Sequence, residues 1–493
     1  MCDDPTASCP VRQFRWAARK GRLRAVRIVA LFGLDACGRF QGYEPRPIQE
    51  PTPAVFVRRS LADEDLRVFL TEQGAPPRPE GWTPRQLGLA SLYFHPGLGE
   101  ARAEVDVAEA AEITAGTPPD VSVSAEISRA AKADEGKSTA WSYSLAAGLL
   151  FETGGKRNAR RARARAATLQ ARLQLESAAW QLASSAGQAA IRASGAEEAT
   201  SDADVERSVL GEVAGLVRAR YLEGRVSLAD VAQSEQDVRT ASLRFVQARR
   251  ARTEARLELA RVLAVPLRTV DSIAIAAPAG NSSCAPSDLR FDSLGTIALR
   301  SRADVGVAVA GYAHSEADLR LEVARQYPDL TIGPGLAWDQ GVLRWLVSLG
   351  SAGILRNVHR GPIAEARARR SVQAARVERV QDSVLASADA AIAACQMVAR
   401  EVDAASAAER STLEALKLSE AAYQRGETGR TDVAFARLAL VRATSAVHGA
   451  RRLGQQAAAA LETVRGGWVD GSPRWPDLMT LRRADTSTRA FAP

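Results

Sequence analysis

Two long proline-free stretches constrain this chain more than any other feature. No proline lies between Pro119 and Pro266, or between Pro362 and Pro473. Within them, residues 154–221 and 361–423 are rich in Ala, Arg, Glu and Gln, which lose little freedom in a helix. At 1.5 Å rise per residue, helices of that length reach roughly 90–100 Å. A compact globule cannot bury such a helix. These helices need partners, in a coiled coil or a helical barrel. Abundant alanine lets the partners approach closely.

The two stretches are copies of one plan. Tyr221-Leu-Glu-Gly224 is followed by Asp230-Val231-Ala232, and Tyr423-Gln-Arg-Gly426 by Asp432-Val433-Ala434, all at one offset of 202 residues. Ala219 and Ala421, Ala241 and Ala443, and Ala248-Arg249-Arg250 and Ala450-Arg451-Arg452 keep that offset. Chance in an Ala/Arg-rich chain explains isolated alanine matches, but not Tyr, Gly, Asp and Val together at fixed spacing. The Tyr closes a long helix, the Gly permits the left-handed conformation that reverses the chain, and Ser227 and Thr431 or Asp432 cap the returning helix.

Ahead of each long helix lies a pair of short segments with strand periodicity. Val121, Val123, Ala125 and Ile127 alternate with serines and Glu126; Trp141, Tyr143, Leu145, Ala147, Leu149 and Phe151 alternate with smaller residues. The second half carries Leu330-Thr-Ile332 and residues 343–349 around a turn at Asp339-Gln-Gly341. Such alternation fits membrane-spanning β-strands with lipid-facing Trp141, Tyr143, Leu145, Leu149 and Phe151, or half-buried hairpins of a soluble domain. Four strands cannot close a barrel, whereas a trimer supplies twelve. No run of 18 apolar residues exists, which excludes a helical crossing but not a strand crossing.

The remaining chain sorts as follows. Residues 1–36 read as a signal segment: seven basic residues precede the apolar run Ile28–Leu34. Leu34-Asp-Ala-Cys37 resembles a lipobox, which makes Cys37 a candidate for lipidation, although Asp35 departs from that pattern. Residues 37–90 form a proline-rich extended leader with one short helix near Leu61–Thr71. Residues 91–265 make the first repeat, with strands near 119–152 and a helical hairpin over 154–265. A linker covers 266–292. The second repeat spans 293–465, with strands near 328–352 and a hairpin over 360–465, and a tail of unassigned role runs from 466 to 493. The formal charge of +8 includes +4 from the signal segment, and acids and arginines are mixed elsewhere, so no nucleic-acid face is indicated. The four histidines lack metal-ligand spacing, the three methionines form no cluster, and no catalytic constellation or cofactor motif stands out. Cys284 and Cys395 read as structural.

With these motifs in hand, the chain resembles the TolC-like outer-membrane efflux family over roughly residues 90–465. The duplicated Tyr-x-x-Gly-x5-Asp-Val turn carries the resemblance. So do Phe151-Glu-Thr-Gly-Gly-Lys-Arg157, Tyr327-Pro-Asp-Leu330 leading into Gly333-Pro-Gly335, Trp338-Asp-Gln-Gly341 and Arg360-Gly-Pro-Ile-Ala-Glu-Ala366. The resemblance implies a mainly helical fold with a membrane β part: a homotrimer with a 12-stranded β-barrel in outer-membrane lipid and a 12-helix periplasmic α-barrel. It implies a non-enzymatic conduit for small molecules or metal ions, served by a periplasmic adaptor protein and an inner-membrane efflux pump. Adaptor-contacting tips then fall at Gly224, Arg225, Val226, Ser227 and Leu228, and at Gly426, Glu427, Thr428 and Gly429. An aperture gate falls at Asp432, Asp230 and Tyr423, with plain helix capping as the other reading of the two aspartates. Thr428 stands where a linking arginine can occur, leaving Arg225 or Arg430 as substitutes, and Phe435 stands where a second acid can occur. Residues 348–353 are small where a bulkier segment is usual, which blurs the end of the fourth strand. A soluble periplasmic coiled-coil scaffold is the alternative.

Overall fold

The computed structural model describes residues 53–131, 135–136, 139–276, 290–351 and 359–467, with Tyr43 and Pro45. The expected signal segment, Cys37, Cys284 and nearly all of the tail lie outside the described residues. The elements below belong to one unit, residues 53–493. Among the described residues four helices come first: α1 (Pro53–Arg58), α2 (Glu64–Glu72), α3 (Pro84–Phe94) and α4 (Pro96–Gly116). Then come strands β1 (Ser122–Arg129) and β2 (Trp141–Phe151), α5 (Lys156–Leu222), α6 (Leu228–Leu263), and the short helices α7 (Leu267–Asp271) and α8 (Phe291–Ser301). The second half runs α9 (Ala303–Ala324), β3 (Leu330–Asp339), β4 (Val342–Ser351), α10 (Arg360–Gln424) and α11 (Arg430–Val464).

The duplication is visible as α4-β1-β2-α5-α6 followed by α9-β3-β4-α10-α11. Helices α5 and α10 have 67 and 65 residues, about 100 Å each. Near the strands, helices pack in the order α4-α5-α9-α10; toward the hairpin turns the order is α6-α5-α11-α10. Alanine makes this possible. Ala179, Ala183, Ala186, Ala190 and Ala193 recur at helical spacing along α5, each no more than 1% exposed. One 18-residue window of α10 reaches a mean hydropathy of 1.2. Along α10, Ala388, Ile392 and Cys395 pack with Leu294 and Ala298 of α8.

The leader expectation is corrected. Residues 53–90 are not extended with a single helix; they form α1, α2 and most of α3. Thr83 caps α3 reciprocally with Gln86, and Asp63 caps α2. Leu66, Leu70, Leu87 and Leu89 bury against Leu175 of α5 and Leu259 and Leu263 of α6. Each such leucine contributes roughly 1.5–3 kcal/mol of burial. Two of the prolines that suggested an extended chain, Pro53 and Pro84, occupy helix starts, where their missing N–H costs nothing. A two-bond bridge ties this segment to the stretch after α7: Trp82 N–H donates to the Ala274 carbonyl (2.8 Å) and Ala276 N–H to the Trp82 carbonyl (2.9 Å). Gly81, at φ 122°, permits the approach, since a Cβ there would lie 2.9 Å from the Ala274 oxygen.

The four strands form one antiparallel sheet in the order β1-β2-β3-β4. The two halves therefore join at β2–β3, where Tyr143 faces Trp338 and Leu145 faces Leu336. The β3–β4 connection is a two-residue hairpin loop with Gln340 at φ 47° and Gly341 at φ 103°, as the strand twist favours. Strand β4 ends at Ser351. That leaves β1 and β4 as unpaired sheet edges among the described residues.

Candidate functional site

Strand alternation and register together sort the sheet into two unlike faces. One carries Val123, Ala125 and Ile127 of β1, and Trp141, Tyr143, Leu145, Leu149 and Phe151 of β2. It continues through Leu330, Ile332, Pro334, Leu336 and Trp338 of β3 into Leu343, Trp345, Val347 and Leu349 of β4. The face is open: Trp345 is 81% exposed, Val347 79% and Leu349 75%. Trp141, Tyr143, Leu145 and Phe151 are exposed on it, while Leu149 is partly buried. The reverse face is small and polar, with Ser122, Ser124, Ser142, Ser144, Thr331 and Ser348 among glycines and alanines, plus Glu126, Asp339 and Arg344. Leu150, Val342 and Leu346 are its apolar exceptions. Asp339 accepts from Ser142 Oγ (2.9 Å) and pairs with Arg344 (3.3 Å).

Aromatic residues gather toward the turn end of the sheet. The Trp141 and Tyr143 rings stack 6.4 Å apart, Arg129 lies 5.4 Å from the Trp141 ring, and Trp338 pairs with Tyr143 in register. At the other end the strands pass into the long helices. Gly154 (φ 64°) and Gly155 (φ 72°) make the turn into α5, Thr153 N–H donates to Asp329 Oδ1 (3.1 Å), and Lys156 pairs with the same oxygen (2.7 Å). Leu330, Ile332 and residues 343–349 were read from the sequence as strand segments but not as lipid-facing, because Gly333-Pro334-Gly335 interrupts the alternation in β3.

Both hairpin tips end their long helix in the same way. Arg225 N–H donates to the Arg220 carbonyl (2.9 Å) and Gly224 N–H to the Tyr221 carbonyl (2.8 Å). Glu427 N–H donates to the Ala422 carbonyl and Gly426 N–H to the Tyr423 carbonyl, both at 2.9 Å. These are Schellman closures, which need the left-handed Gly224 and Gly426. Ser227 starts α6. Its hydroxyl accepts from Asp230 N–H (3.2 Å), and Asp230 Oδ2 accepts from the Ser227 N–H (2.8 Å) and hydroxyl (2.7 Å). The Ser227 hydroxyl first, and its N–H second, hold the Asp230 carboxyl below the usual carboxylate range. On the second tip the N-cap position is Gly429, whose N–H donates to Asp432 Oδ2 (2.9 Å). Thr431, expected as a possible cap, is buried instead. Within one chain both aspartates thus cap helices.

Arg430 was named from the sequence only as a substitute linking cation. Its Nε donates to the Tyr423 hydroxyl (2.8 Å), which joins the two arms of the second tip. Arg225 pairs with Glu223 (3.3 Å) and Arg425 with Glu427 (2.7 Å). The tip residues Leu228, Gly224, Glu427 and Gly426 are exposed, as is Val226's neighbour Arg225. Further from the tips, the two hairpins meet along α5 and α11 through ion pairs the sequence did not single out. Arg437 pairs with Glu212 (3.3 Å), Arg442 with Glu206 (2.9 Å), His448 with Asp202 (2.8 Å) and Arg452 with Asp202 (3.0 Å). Arg and Glu occur throughout all four helices, so only their packing selects these partners.

Among the described residues no group of three or more His, Cys, Asp or Glu could hold a metal ion. His95 Nδ1 accepts from Gly97 N–H (3.2 Å) at the start of α4. Burial, then Arg59 and Arg261, lower its pKa. Cys395 is buried and disulfide-bonded.

Against this geometry, comparison with known proteins gives a consistent result. The family model described as outer membrane efflux protein matches residues 91–265. No curated protein matches the chain. Among solved structures, a membrane protein from Pseudomonas aeruginosa is similar with a TM-score of 0.64 at 18% identity, covering 82% of this chain and 94% of that one. The Campylobacter jejuni CmeC outer membrane channel is similar with a TM-score of 0.62 at 13% identity, covering 89% and 96%. The Neisseria gonorrhoeae MtrE outer membrane channel, in its open state, gives 0.61 at 18% identity, covering 88% and 99%. At these identities the likeness is one of fold.

Proposed function

Because residues 91–265 form an outer membrane efflux protein domain and the chain has the fold of TolC-like channels, we propose that it is the outer-membrane conduit of a tripartite efflux system. Three copies close a 12-stranded barrel and continue it as a 12-helix periplasmic barrel. The observation that carries this reading is the two-faced sheet with free edges. A continuous apolar face with an aromatic end suits lipid, and a small, polar reverse face suits a water-filled lumen. Four strands with open edges call for further strands, and only closure removes such edges from a bilayer.

Export through this conduit requires no chemistry from the chain. The inner-membrane pump supplies the energy, and the periplasmic adaptor docks on the tips around Gly224–Leu228 and Gly426–Gly429. Asp432, Asp230 and Tyr423 lie where the helices converge to form the aperture, with Arg430 holding Tyr423. Cargo is a small molecule or metal ion. Cys37 is the proposed lipid attachment point. The soluble-scaffold alternative would leave Trp345, Val347 and Leu349 in water.

The test is fractionation and assembly. Full-length protein expressed with its own leader should enter the outer-membrane fraction, require detergent for extraction and migrate as a trimer. Cysteines placed on the β1 and β4 edges, at Ser124 and Ser348, should crosslink subunits to one another. A soluble monomer in the periplasm would refute the proposal.

A further inference from the structure

Directly beneath the strands, both long helices open with arginines: residues 157–172 of α5 and 360–379 of α10 are dense in them. Asp318 of α9 fixes the relative level of the two helices, because it pairs with Arg163 of α5 (2.8 Å) and Arg369 of α10 (3.9 Å). Counting back at 1.5 Å per residue, Arg157 and Arg360 lie about 9 and 13 Å from that level toward the strands, with Arg161 about 6 Å below Arg157 and Arg367 about 10 Å below Arg360. Lys156, next to Arg157, pairs with Asp329, the residue before β3.

Most arginines at this level are neutralised. Arg160 pairs with Glu152, Arg165 with Glu112 (3.0 Å) and Arg370 with Glu316 (3.0 Å). Four are not. Arg157 donates only to the Gly116 carbonyl, 2.9 Å from its Nε. Arg161, Arg360 and Arg367 have no carboxylate within ion-pair distance among the described residues, and all four side chains are exposed. Arg161 also lines a cleft of about 440 Å³ with Glu109, Glu112 and the exposed Ile113. Glu109 and Glu112 already pair with Arg172 and Arg165, so the free cation in the cleft is Arg161.

Given the channel reading, on which this inference rests, these four guanidinium groups fall at a defined depth. A bilayer's headgroup layer is roughly 5–8 Å deep on each side of its hydrocarbon. The apolar sheet face ends where Arg157 and Arg360 begin; Arg161 lies about 6 Å below Arg157 and Arg367 about 10 Å below Arg360, so the belt covers the headgroup layer and its aqueous edge. We propose that this belt binds the phosphates of anionic glycerophospholipids in the periplasmic leaflet. Guanidinium forks match phosphate oxygens in pairs. The continuity of the belt with the apolar face favours a lipid over a free anion, since the acyl chains of a bound lipid would lie along Phe151 and Leu330. Three subunits would repeat the belt around the barrel.

The probe is spin-labelled phosphatidylglycerol against spin-labelled phosphatidylcholine, in vesicles holding the full-length protein. Wild type should associate with the anionic label at least about fivefold more strongly, with the preference shrinking in high salt. The combined R157Q/R161Q/R360Q/R367Q variant should bring the ratio to within about twofold. The corresponding lysine variant, which guards against misfolding, should retain most of it. Equal association in wild type, or a preference unchanged by the glutamine variant, would overturn the inference. The latter result would assign these arginines to contacts between subunits. Failure of wild type to insert into any vesicle would instead refute the channel reading itself.

Discussion

Leu145→Arg tests the membrane face most directly. Leu145 is the fifth of eleven residues in β2, so it lies one residue, about 3 Å along the strand, from the strand's centre. Its row is Ala125, Leu145, Leu336 and Trp345, one from each strand and all on the apolar face. Arginine on a lipid-facing site near the bilayer midplane costs about 2–4 kcal/mol, falling toward the interface. Three copies in a trimer bring the penalty to about 6–12 kcal/mol on assembly, comparable to the whole stability of a small domain. Leu149, three residues from the strand centre, should cost less when changed to arginine. Ser144→Arg, adjacent in sequence but on the reverse face, should insert nearly normally. The assay is refolding into vesicles across a denaturant series, with trimer yield read by unheated electrophoresis. Equal yields for Leu145→Arg and wild type, or equal losses for Leu145→Arg and Ser144→Arg, would refute the assignment of the two faces.

Other positions make further claims. Arg256 is buried, with Nε donating to Glu197 (2.7 Å) and another nitrogen to the Val270 carbonyl (2.7 Å); Arg256→Ala should destabilise the chain by about 1–3 kcal/mol in denaturant melts, because the Val270 carbonyl loses its donor while Glu197 keeps Arg252 (3.6 Å). Gly426→Ala should cost about 1 kcal/mol, since the residue sits at φ 77° with no neighbour for a Cβ to strike. A loss of 3 kcal/mol or more would point to a packing role. Asp432→Ala should raise conductance in planar bilayers if its carboxylate helps to narrow the aperture; an unchanged conductance with only a frayed α11 would leave it a helix cap. Acid should loosen the first tip: the Asp230 carboxyl is held below its ordinary value, so its contribution is complete above the unfolded carboxylate range and is lost as pH falls through the lowered one. Protection of the amides at the start of α6, corrected for the intrinsic exchange rate at each pH, should therefore fall at low pH in wild type and change little in Asp230→Asn.

Much of the fold could be read from local signals. Tyr221 and Gly224, with Tyr423 and Gly426, announced two identical helix reversals because a left-handed turn residue acts through its own backbone alone. Trp141 to Phe151 announced a two-faced strand because side-chain direction alternates by geometry. The leader was misread because Pro53 and Pro84 mark helix starts as readily as extended chain, and what decides is whether Leu66, Leu70, Leu87 and Leu89 find a surface to cover. Of the two caps the sequence offered for α11, Asp432 receives the Gly429 N–H while Thr431 is buried, a choice that packing makes because their capping chemistry is alike.

The sequence alone determined that this chain has long helices in two copies, glycine-closed tips and short alternating strands. These depend on neighbours a few residues apart. Only the tertiary structure decided that β2 lies beside β3, so that both halves share one sheet with a continuous apolar face. It also selected Asp202 and Glu206 as partners for His448, Arg452 and Arg442 from helices crowded with charge, and left Arg157, Arg161, Arg360 and Arg367 without carboxylates among the described residues. Pairing across some 200 residues is set by which surfaces meet, and a repeated Ala/Arg/Glu pattern presents many equivalent surfaces until the chain is packed.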